Sequence, residues 1–173
     1  MSKLNVYIAV FICLMVGSFG GQRIQAQMAA ATPVAPTLTK GVVLNSSIDE
    51  VWRVISQPEN YAGYANGVTN FVCNGSGRGA KMSFSVAGDP QRKQEVSVLK
   101  KDEYLITFFV TTSDYMSDSW VYRFLLGKEG EGTYLRYEAY FSHEEDKAVK
   151  QAMKKSIEKE WQQIAAGLQK KFN

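Results

Sequence analysis

The side chains most suited to catalysis lie in the last third of the chain. His143 stands between Ser142 and a run of three acids, residues 144–146. Histidine titrates near neutral pH and can act as a general base. No nucleophile motif accompanies it, however, which favours a solvated residue in the first turn of a helix. Two further acids, Asp114 and Asp118, lie in a polar loop, where acidic side chains usually face solvent.

A glycine-rich segment, residues 75–79, is a second candidate site. The backbone amides of such loops can hold phosphate, but the loop then normally leads into a helix whose N-terminus completes the site. A strand pattern follows here, so we interpret the segment as a turn. Cys73 is expected to be a buried, inert thiol. Because Cys73 and His143 are far apart in the chain, we expect no metal site, and no cofactor is implied.

Aromatic side chains supply the largest candidate set. Apolar and polar residues alternate in the predicted strands, so these aromatic residues are predicted to point into the interior. They are Trp52, Phe84, Phe108, Trp120, Tyr122, Phe124, Tyr137 and Trp161. A solid core is one interpretation, because aromatic residues dominate ordinary cores. The other is a cavity in which tyrosine hydroxyls and tryptophan N–H groups make the few polar contacts that ligand pockets use.

One long amphipathic helix, predicted for residues 142–172, must cover that interior. Ser142 and Glu145 form a capping box at its start. Apolar residues recur along it every three or four positions and define a single stripe. They are Val149, Met153, Ile157, Trp161, Ile164, Leu168 and Phe172. The opposite face is rich in lysine, so the stripe needs a broad apolar surface to lie on.

A series of predicted strands supplies that surface. The first covers residues 38–44, and a helix then begins at a second capping box, Ser47 to Glu50. Pro58 ends this helix and begins another short one. Six strands follow between residues 68 and 141, and the short turns between them make the sheet antiparallel. The order predicts an α+β fold in which an antiparallel sheet of six to seven strands wraps around the terminal helix.

The N-terminal residues predict export. Residues 8–20 are almost wholly apolar, a run shorter than the roughly 20 residues of a spanning helix. We interpret residues 1–26 as a signal peptide, 27–37 as a flexible leader and 38–173 as the folded domain. A secreted or periplasmic location is expected, with an uncleaved N-terminal membrane anchor as the alternative. Removing the signal lowers the net charge from +3 to +1, and a near-neutral chain gives no reason to expect nucleic acid.

Five pieces of the sequence occur in an informative order. They are Ser47–Trp52, Pro58–Tyr61, residues 75–80 opening a strand, Gly132-Thr133 opening the last strand, and the terminal helix. Together they resemble the START-like (SRPBCC) superfamily, the helix-grip fold of Bet v 1 allergens, START lipid carriers and bacterial polyketide cyclase/dehydratase-like proteins. The resemblance covers about residues 38–172. A lipocalin is the alternative fold, but the chain lacks a Gly-x-Trp strand near its start and has too few strands for a closed barrel.

The resemblance implies an apolar cavity between sheet and helix, with Asp114 and Asp118 at its mouth. Its predicted lining is Trp52, Met82, Phe84, Phe108, Trp120, Tyr122, Phe124, Tyr137, Met153, Ile157 and Trp161. We therefore expect binding or carriage of a small hydrophobic molecule, such as a lipid, an isoprenoid or a polyketide-like compound.

Two other functions stay open. A cyclase/dehydratase-type enzyme would need an inward acid or base. The predicted inner faces hold almost none, since Arg123 and Glu138 both fall on the outer set. The second alternative is a protein-interaction module with a filled core, which would pair through Leu105 and Phe109.

Overall fold

The computed structural model describes residues 35–86, 89–113, 120–141 and 147–173. Its elements are β1 (Leu38–Leu44), α1 (Ile48–Ile55), a 3-10 turn (Pro58–Asn60), α2 (Tyr61–Tyr64), β2 (Thr69–Asn74), β3 (Lys81–Val86), β4 (Asp89–Asp102), β5 (Leu105–Ser113), β6 (Trp120–Glu129), β7 (Gly132–Tyr140) and α3 (Lys147–Phe172). The seven strands form one antiparallel sheet in the order β1-β7-β6-β5-β4-β3-β2, and α3 packs on its inner face. The predicted α+β helix-grip fold is confirmed.

The start of α1 is fixed by the predicted capping box. The Ser47 hydroxyl accepts from the Glu50 amide at 3.4 Å, and the Glu50 carboxylate accepts from the Ser47 amide at 3.3 Å. Ser46 also donates its hydroxyl to this carboxylate at 2.7 Å. Hydrogen bonds from Ser46 and Ser47 hold the pKa of Glu50 below its ordinary value. The cap therefore satisfies amides that a helix start otherwise leaves without partners.

Irregular pairing bends the sheet. Register shifts interrupt the β2–β3 ladder between Thr69 and Val72 and the β3–β4 ladder between Ser85 and Val86. Two more interrupt the β4–β5 ladder. Each such bulge increases the local twist and bends its strand. The half of the sheet made by β2 to β5 is therefore curved, which suits it to wrap a helix.

Two strand boundaries differ from the alternation pattern. The sequence predicts a strand at residues 95–99, but β4 runs from Asp89 to Asp102, because its first part pairs with β3 as far as Ser97 and its last part pairs with β5 from Gln94 onward. The glycine-rich and charged residues 127–132 predict a turn, but the observed turn is shorter, since β6 and β7 remain paired out to Glu129 and Gly132. Ladder hydrogen bonds hold polar residues in strands that side-chain periodicity does not reveal.

The buried face of α3 follows the predicted stripe from Met153 onward. Val149, predicted on the stripe, is 38% exposed. All residues from 147 to 152 are exposed, so the first turns of the described helix contribute no buried side chain. Phe172 is half-buried at the other end. The predicted cap at residues 142–145 lies outside the described residues.

Cys73, expected to be buried, is half-buried on β2. Its sulfur lies 3.7 Å from the carbonyl oxygen of Gly75. Burial raises the pKa of the Cys73 thiol. Because the thiolate is the reactive form of cysteine, a raised pKa agrees with the predicted inert thiol.

A charged cluster covers the outer face of β6 and β7. The Glu138 carboxylate accepts from Arg123 at 2.6 Å, from Arg136 at 3.0 Å and from the Tyr140 hydroxyl at 2.7 Å. Its side chain is only 7% exposed. Burial raises the pKa of Glu138, but the hydrogen bonds from Tyr140 and Arg123 and the two positive charges outweigh it and lower the pKa below 4.5.

This cluster is expected to stabilise the fold above about pH 4.5 and to lose that effect as the pH falls through the lower folded-state pKa of Glu138. The expected result is that Glu138→Gln is less stable than the wild type at neutral pH, and that the difference narrows in acid. Urea unfolding from neutral pH to about pH 3 measures it. Glu131→Gln, at an exposed turn position, is the matched control. A difference that does not depend on pH would contradict the account.

Candidate functional site

Aromatic rings on three neighbouring strands form a continuous network on the inner face of the sheet. On β6, Trp120, Tyr122 and Phe124 alternate onto that face, with the first two rings 5.2 Å apart. Phe108 of β5 stacks on Tyr122, with ring centroids 4.8 Å apart. On the β7 side of Tyr122, the ring of Tyr137 lies 5.8 Å from the Tyr122 ring. Residues two apart in a strand share a face, which explains why the sequence pattern found these positions.

The long helix and α2 close this network from above and from one side. Trp161 of α3 stacks on Tyr137, with ring centroids 5.0 Å apart and an interplanar angle of 20°. Tyr61 of α2 lies 5.0 Å from Phe84 and 5.4 Å from Tyr64. Both tyrosines of α2 are fully buried. The network therefore joins α2, the sheet and α3 into one aromatic interior.

The structure brings most of the predicted lining residues together. The buried ones are Met82, Phe84, Phe108, Trp120, Tyr122, Phe124, Tyr137, Met153, Ile157 and Trp161. Trp52 is half-buried and its ring contacts Tyr104, in the β4–β5 hairpin, at 6.0 Å. It makes no ring contact with the interior network among the described residues. Asp114 and Asp118, predicted at the cavity mouth, lie outside the described residues.

A buried carboxylate lies within this aromatic interior. Glu160 of α3 is 5% exposed. Its Oε1 accepts from the Tyr61 hydroxyl at 3.3 Å, and its Oε2 accepts from the amide nitrogen of Gln94 at 3.1 Å. Gln94 is itself 1% exposed and pairs with Phe84 across the β3–β4 ladder. Burying a charge is costly unless the group is hydrogen-bonded. Both carboxylate oxygens of Glu160 accept a hydrogen bond.

Five other buried side-chain atoms have no hydrogen-bond partner within the part of the chain that the structure describes. One is the side-chain oxygen of Gln163 on α3. The other four belong to the aromatic interior and are the hydroxyl oxygens of Tyr64 and Tyr122, the indole nitrogen of Trp120 and the side-chain oxygen of Gln94. Because Gln94 donates its amide nitrogen to Glu160, its oxygen points away from that carboxylate. Most buried polar groups in folded proteins find partners, and each exception needs an explanation. Four exceptions around one aromatic interior are the most distinctive feature of this structure.

Burial and charge act together on the interior tyrosines. Burial raises the pKa of Tyr61, Tyr64 and Tyr122, and the negative charge of Glu160 raises the pKa of Tyr61 and Tyr122 further. The Tyr61 and Tyr122 hydroxyls lie near enough to shift each other's pKa, although the pair does not reach hydrogen-bonding geometry. These phenols therefore stay protonated at neutral pH and can each donate or accept a hydrogen bond.

Sequence reasoning missed Glu160 and Gln94. A usable signal was present for Glu160, which follows Ile157 by three residues and precedes Ile164 by four, the spacing of the buried stripe. Gln94 carried no such signal, because the sequence around it is polar and β4 is longer than predicted. The expectation that the inner faces hold almost no acid is therefore wrong at Glu160. Arg123 and Glu138 do lie on the outer face, as predicted.

Two depressions bordered by described residues lie on the outer face of the curved half of the sheet. The larger, of about 410 Å³, is bordered by Lys81 and Glu95 among others, and also by Met82 of the predicted lining. The smaller, of about 270 Å³, includes Phe84 and Gln94. The other residues that border the two depressions are mainly polar, and the rest of the predicted lining does not border either of them.

Known proteins are similar to this chain in structure, but the sequence comparisons found no match. No protein-family model and no curated protein matches the chain. A START superfamily protein from Mycobacterium smegmatis matches 78% of this chain and 95% of its own, with a TM-score of 0.62 at 14% identity. The chain has the START-like fold. XoxI from Bacillus cereus matches 80% of this chain and 96% of its own, with a TM-score of 0.64 at 13% identity.

The START-like fold is shared more widely. Ara h 8.0201 matches 76% of this chain and 95% of its own, with a TM-score of 0.56 at 10% identity. At such identities the similarity establishes the START-like fold alone.

Within the part of the chain that the structure describes, no three His, Cys, Asp or Glu side chains are grouped to hold a metal ion. No helix in that same part is long and apolar enough to cross a membrane.

Proposed function

We propose that this START-like protein binds a small, mainly apolar molecule between the sheet and α3. The observation that carries the proposal is a set of four polar atoms, on Tyr64, Gln94, Trp120 and Tyr122, that lie in an aromatic interior without a hydrogen-bond partner among the described residues. A filled core disfavours such a set, because each buried group without a partner costs about 1–3 kcal/mol. A bound molecule with a few polar groups would satisfy them.

The distribution of side chains supports this proposal. Large aromatic rings surround the four atoms and supply apolar contact area, while the polar atoms are few and fixed by strands and helices. Ligand sites for small molecules have this composition, with predominantly apolar walls and a small number of placed polar groups. Met82 and Met153 are buried in the same core cluster, and methionine side chains can adapt their shape to a ligand.

A second candidate function is catalysis of the cyclase/dehydratase type, and Glu160 favours it. A carboxylate beside bound substrate can accept a proton, and a tyrosine hydroxyl can donate a hydrogen bond to a developing oxyanion. Here Tyr61 and Gln94 hold both carboxylate oxygens of Glu160. That arrangement gives the carboxylate a defined position, which binding and catalysis would both use.

Export, with the protein acting as a carrier or sensor outside the cytoplasm, belongs to the same proposal. It rests on the apolar run of residues 8–20 and on the small residues that follow it. Cell fractionation, with N-terminal sequencing of the isolated protein, tests it. An intact N-terminus on cytoplasmic protein would contradict it.

The binding proposal predicts saturable uptake of one molecule of the neutral apolar dye Nile red per chain. Binding is expected to raise the emission of the dye and to quench tryptophan fluorescence, because Trp120 and Trp161 belong to the interior network. Titration of the full chain by fluorescence and by calorimetry measures both. Dye emission that rises without saturation, or no emission change, would favour the filled core of an interaction module.

A further inference from the structure

The larger depression on the outer face of the sheet is bordered by two opposite charges and two hydroxyls. Lys81 of β3 pairs with Ser97 of β4 in the ladder, and Ser83 of β3 pairs with Glu95 of β4. All four residues border the depression of about 410 Å³. They form a square on one face of the sheet, with the ammonium and the carboxylate on one diagonal and the two hydroxyls on the other.

The two charged side chains of this square are free to bind a ligand. Lys81 and Glu95 are both exposed, and the side chain of neither forms an ion pair or a hydrogen bond with another described residue. Diagonal neighbours on paired strands are about 7–8 Å apart, within reach of long side chains. Because an exposed ion pair is worth little, a ligand that draws the two charged groups to itself loses little by keeping them apart.

A neutral polar group accompanies each charge. Asn74 of β2 pairs with Lys81 across the β2–β3 ladder, and its side-chain amide can donate beside the ammonium. The hydroxyl of Thr111 donates to the backbone carbonyl oxygen of Glu95 at 3.2 Å, and the hydroxyl oxygen can still accept. The Lys81 corner therefore suits an anionic group, and the Glu95 corner suits a cationic one.

A β-bulge shapes the Glu95 corner. Glu95 pairs with Thr112 of β5, but Val96 pairs with Val110, so Thr111 is an extra residue in β5. Bulges are over-represented next to active sites, where they re-aim a side chain. Here the bulge places Thr111 at the border of the depression. The backbone as well as the side chains therefore shapes this site.

The two charges select a ligand that carries both signs. An anion would be attracted by Lys81 and repelled by Glu95, a cation would meet the reverse, and a neutral molecule would use neither charge. A zwitterion uses both. The depression, of about 410 Å³, lies within the usual size range of small-molecule sites, about 300–1,000 Å³.

The spacing of the two charges favours a ligand of dipeptide size. Two residues of extended chain span about 7 Å, which matches the diagonal from Lys81 to Glu95. A peptide group between the two ligand charges would lie over the hydroxyls of Ser83 and Ser97. It offers one donor and one acceptor, and a serine hydroxyl can serve either.

We propose that this outer-face depression binds a small zwitterion of dipeptide size. The carboxylate of the ligand binds Lys81 and Asn74, and its ammonium group binds Glu95 and Thr111. The charged side chains lie on the face of the sheet opposite the aromatic interior. The inference therefore does not depend on the proposed binding function.

Titration of the isotope-labelled chain with diglycine, followed by nuclear magnetic resonance, tests the proposal. Because the charged groups are exposed, saturable binding is expected in the millimolar range, with the largest shifts at the amides of residues 81–83 and 95–97. Acetyl-diglycine lacks the ammonium and diglycinamide lacks the carboxylate, and each is expected to bind at least about fivefold more weakly than diglycine. High salt is expected to weaken diglycine binding, since exposed charges are screened.

Exchange of the two charges separates recognition from a structural role. Lys81→Glu and Glu95→Lys each leave two like charges at the depression, and each is expected to weaken diglycine binding at least about fivefold. The double variant again carries one charge of each sign. Because a zwitterion can bind in the reverse direction, the double variant is expected to regain most of the affinity. Lys128→Glu, at an exposed position near the β6–β7 turn, is the matched control and should bind diglycine as the wild type does.

Three results would overturn the inference. They are the absence of saturable shifts in the wild type, equal binding of diglycine and acetyl-diglycine, and a double variant that binds no better than the single ones. Shifts confined to interior residues such as Tyr122 would also overturn it, because diglycine would then bind elsewhere. Nile red uptake by the charge variants is expected to equal that of the wild type, so the two proposals succeed or fail separately.

Discussion

Trp161→Ala is expected to weaken the binding of Nile red by at least about thirtyfold. Trp161 stacks on Tyr137 and is the one tryptophan that α3 contributes to the interior. Central buried aromatics of a binding site are typically worth about 2 kcal/mol or more, which is roughly a thirtyfold loss of affinity. Trp120→Ala, on the opposite wall, is expected to have a similar effect. Fluorescence titration measures both.

Each of these variants also loses core packing, at a cost of about 3–5 kcal/mol. Circular dichroism therefore checks that each remains folded, and Trp161→Phe provides a milder change. Trp52→Ala is the matched control, because Trp52 is half-buried against Tyr104 and not in the interior network. Normal uptake by folded Trp161→Ala and Trp120→Ala would contradict a site between sheet and helix.

Gly167→Ala is expected to destabilise the fold by about 3 kcal/mol, at the upper end for overpacking. A Cβ atom at Gly167 would lie 2.8 Å from the carbonyl carbon of Tyr64 and closer still to its oxygen. Because these are backbone atoms, α2 and α3 must move apart to admit a single methyl group. Each kcal/mol lowers the unfolding temperature of a domain of this size by about 2–4 °C.

Gly63→Ala is the control for Gly167→Ala. Gly63 lies in α2 and is exposed, and a Cβ atom added there would meet no atom of the described residues within 4 Å. Alanine is a better helix former than glycine, so this variant should be as stable as the wild type or slightly more so. Thermal unfolding measures the pair. Equal stability of Gly167→Ala and wild type would show that α3 does not pack so closely on α2.

The fold was predictable because several independent sequence patterns agreed. The alternation of Trp120, Tyr122 and Phe124 fixed the inner face of β6, and the spacing of Met153, Ile157 and Trp161 fixed the buried face of α3. A capping box placed the start of α1. Each pattern depends on local geometry of two or 3.6 residues per repeat, which a single sequence reveals.

The polar part of the site was not predictable in the same way. Gln94 is buried because β4 pairs with strands on both sides, and that pairing is a tertiary effect. The helical spacing of Glu160 predicts a buried side chain, but glutamate is usually solvated. The apolar stripe is also complete without Glu160, because Trp161 occupies that turn of the helix. Tyr61 and Tyr64 come from a helix of four residues, too short for periodicity to show which face is buried.

The most direct test of the central claim is to isolate the full chain gently from its producing cells and compare its mass under native and denaturing conditions. Solvent extraction and mass spectrometry then identify any molecule released. The account predicts one small, mainly apolar molecule per chain, lost from Trp161→Ala and retained by Trp52→Ala. A wild-type protein that carries no small molecule and does not bind Nile red would contradict it.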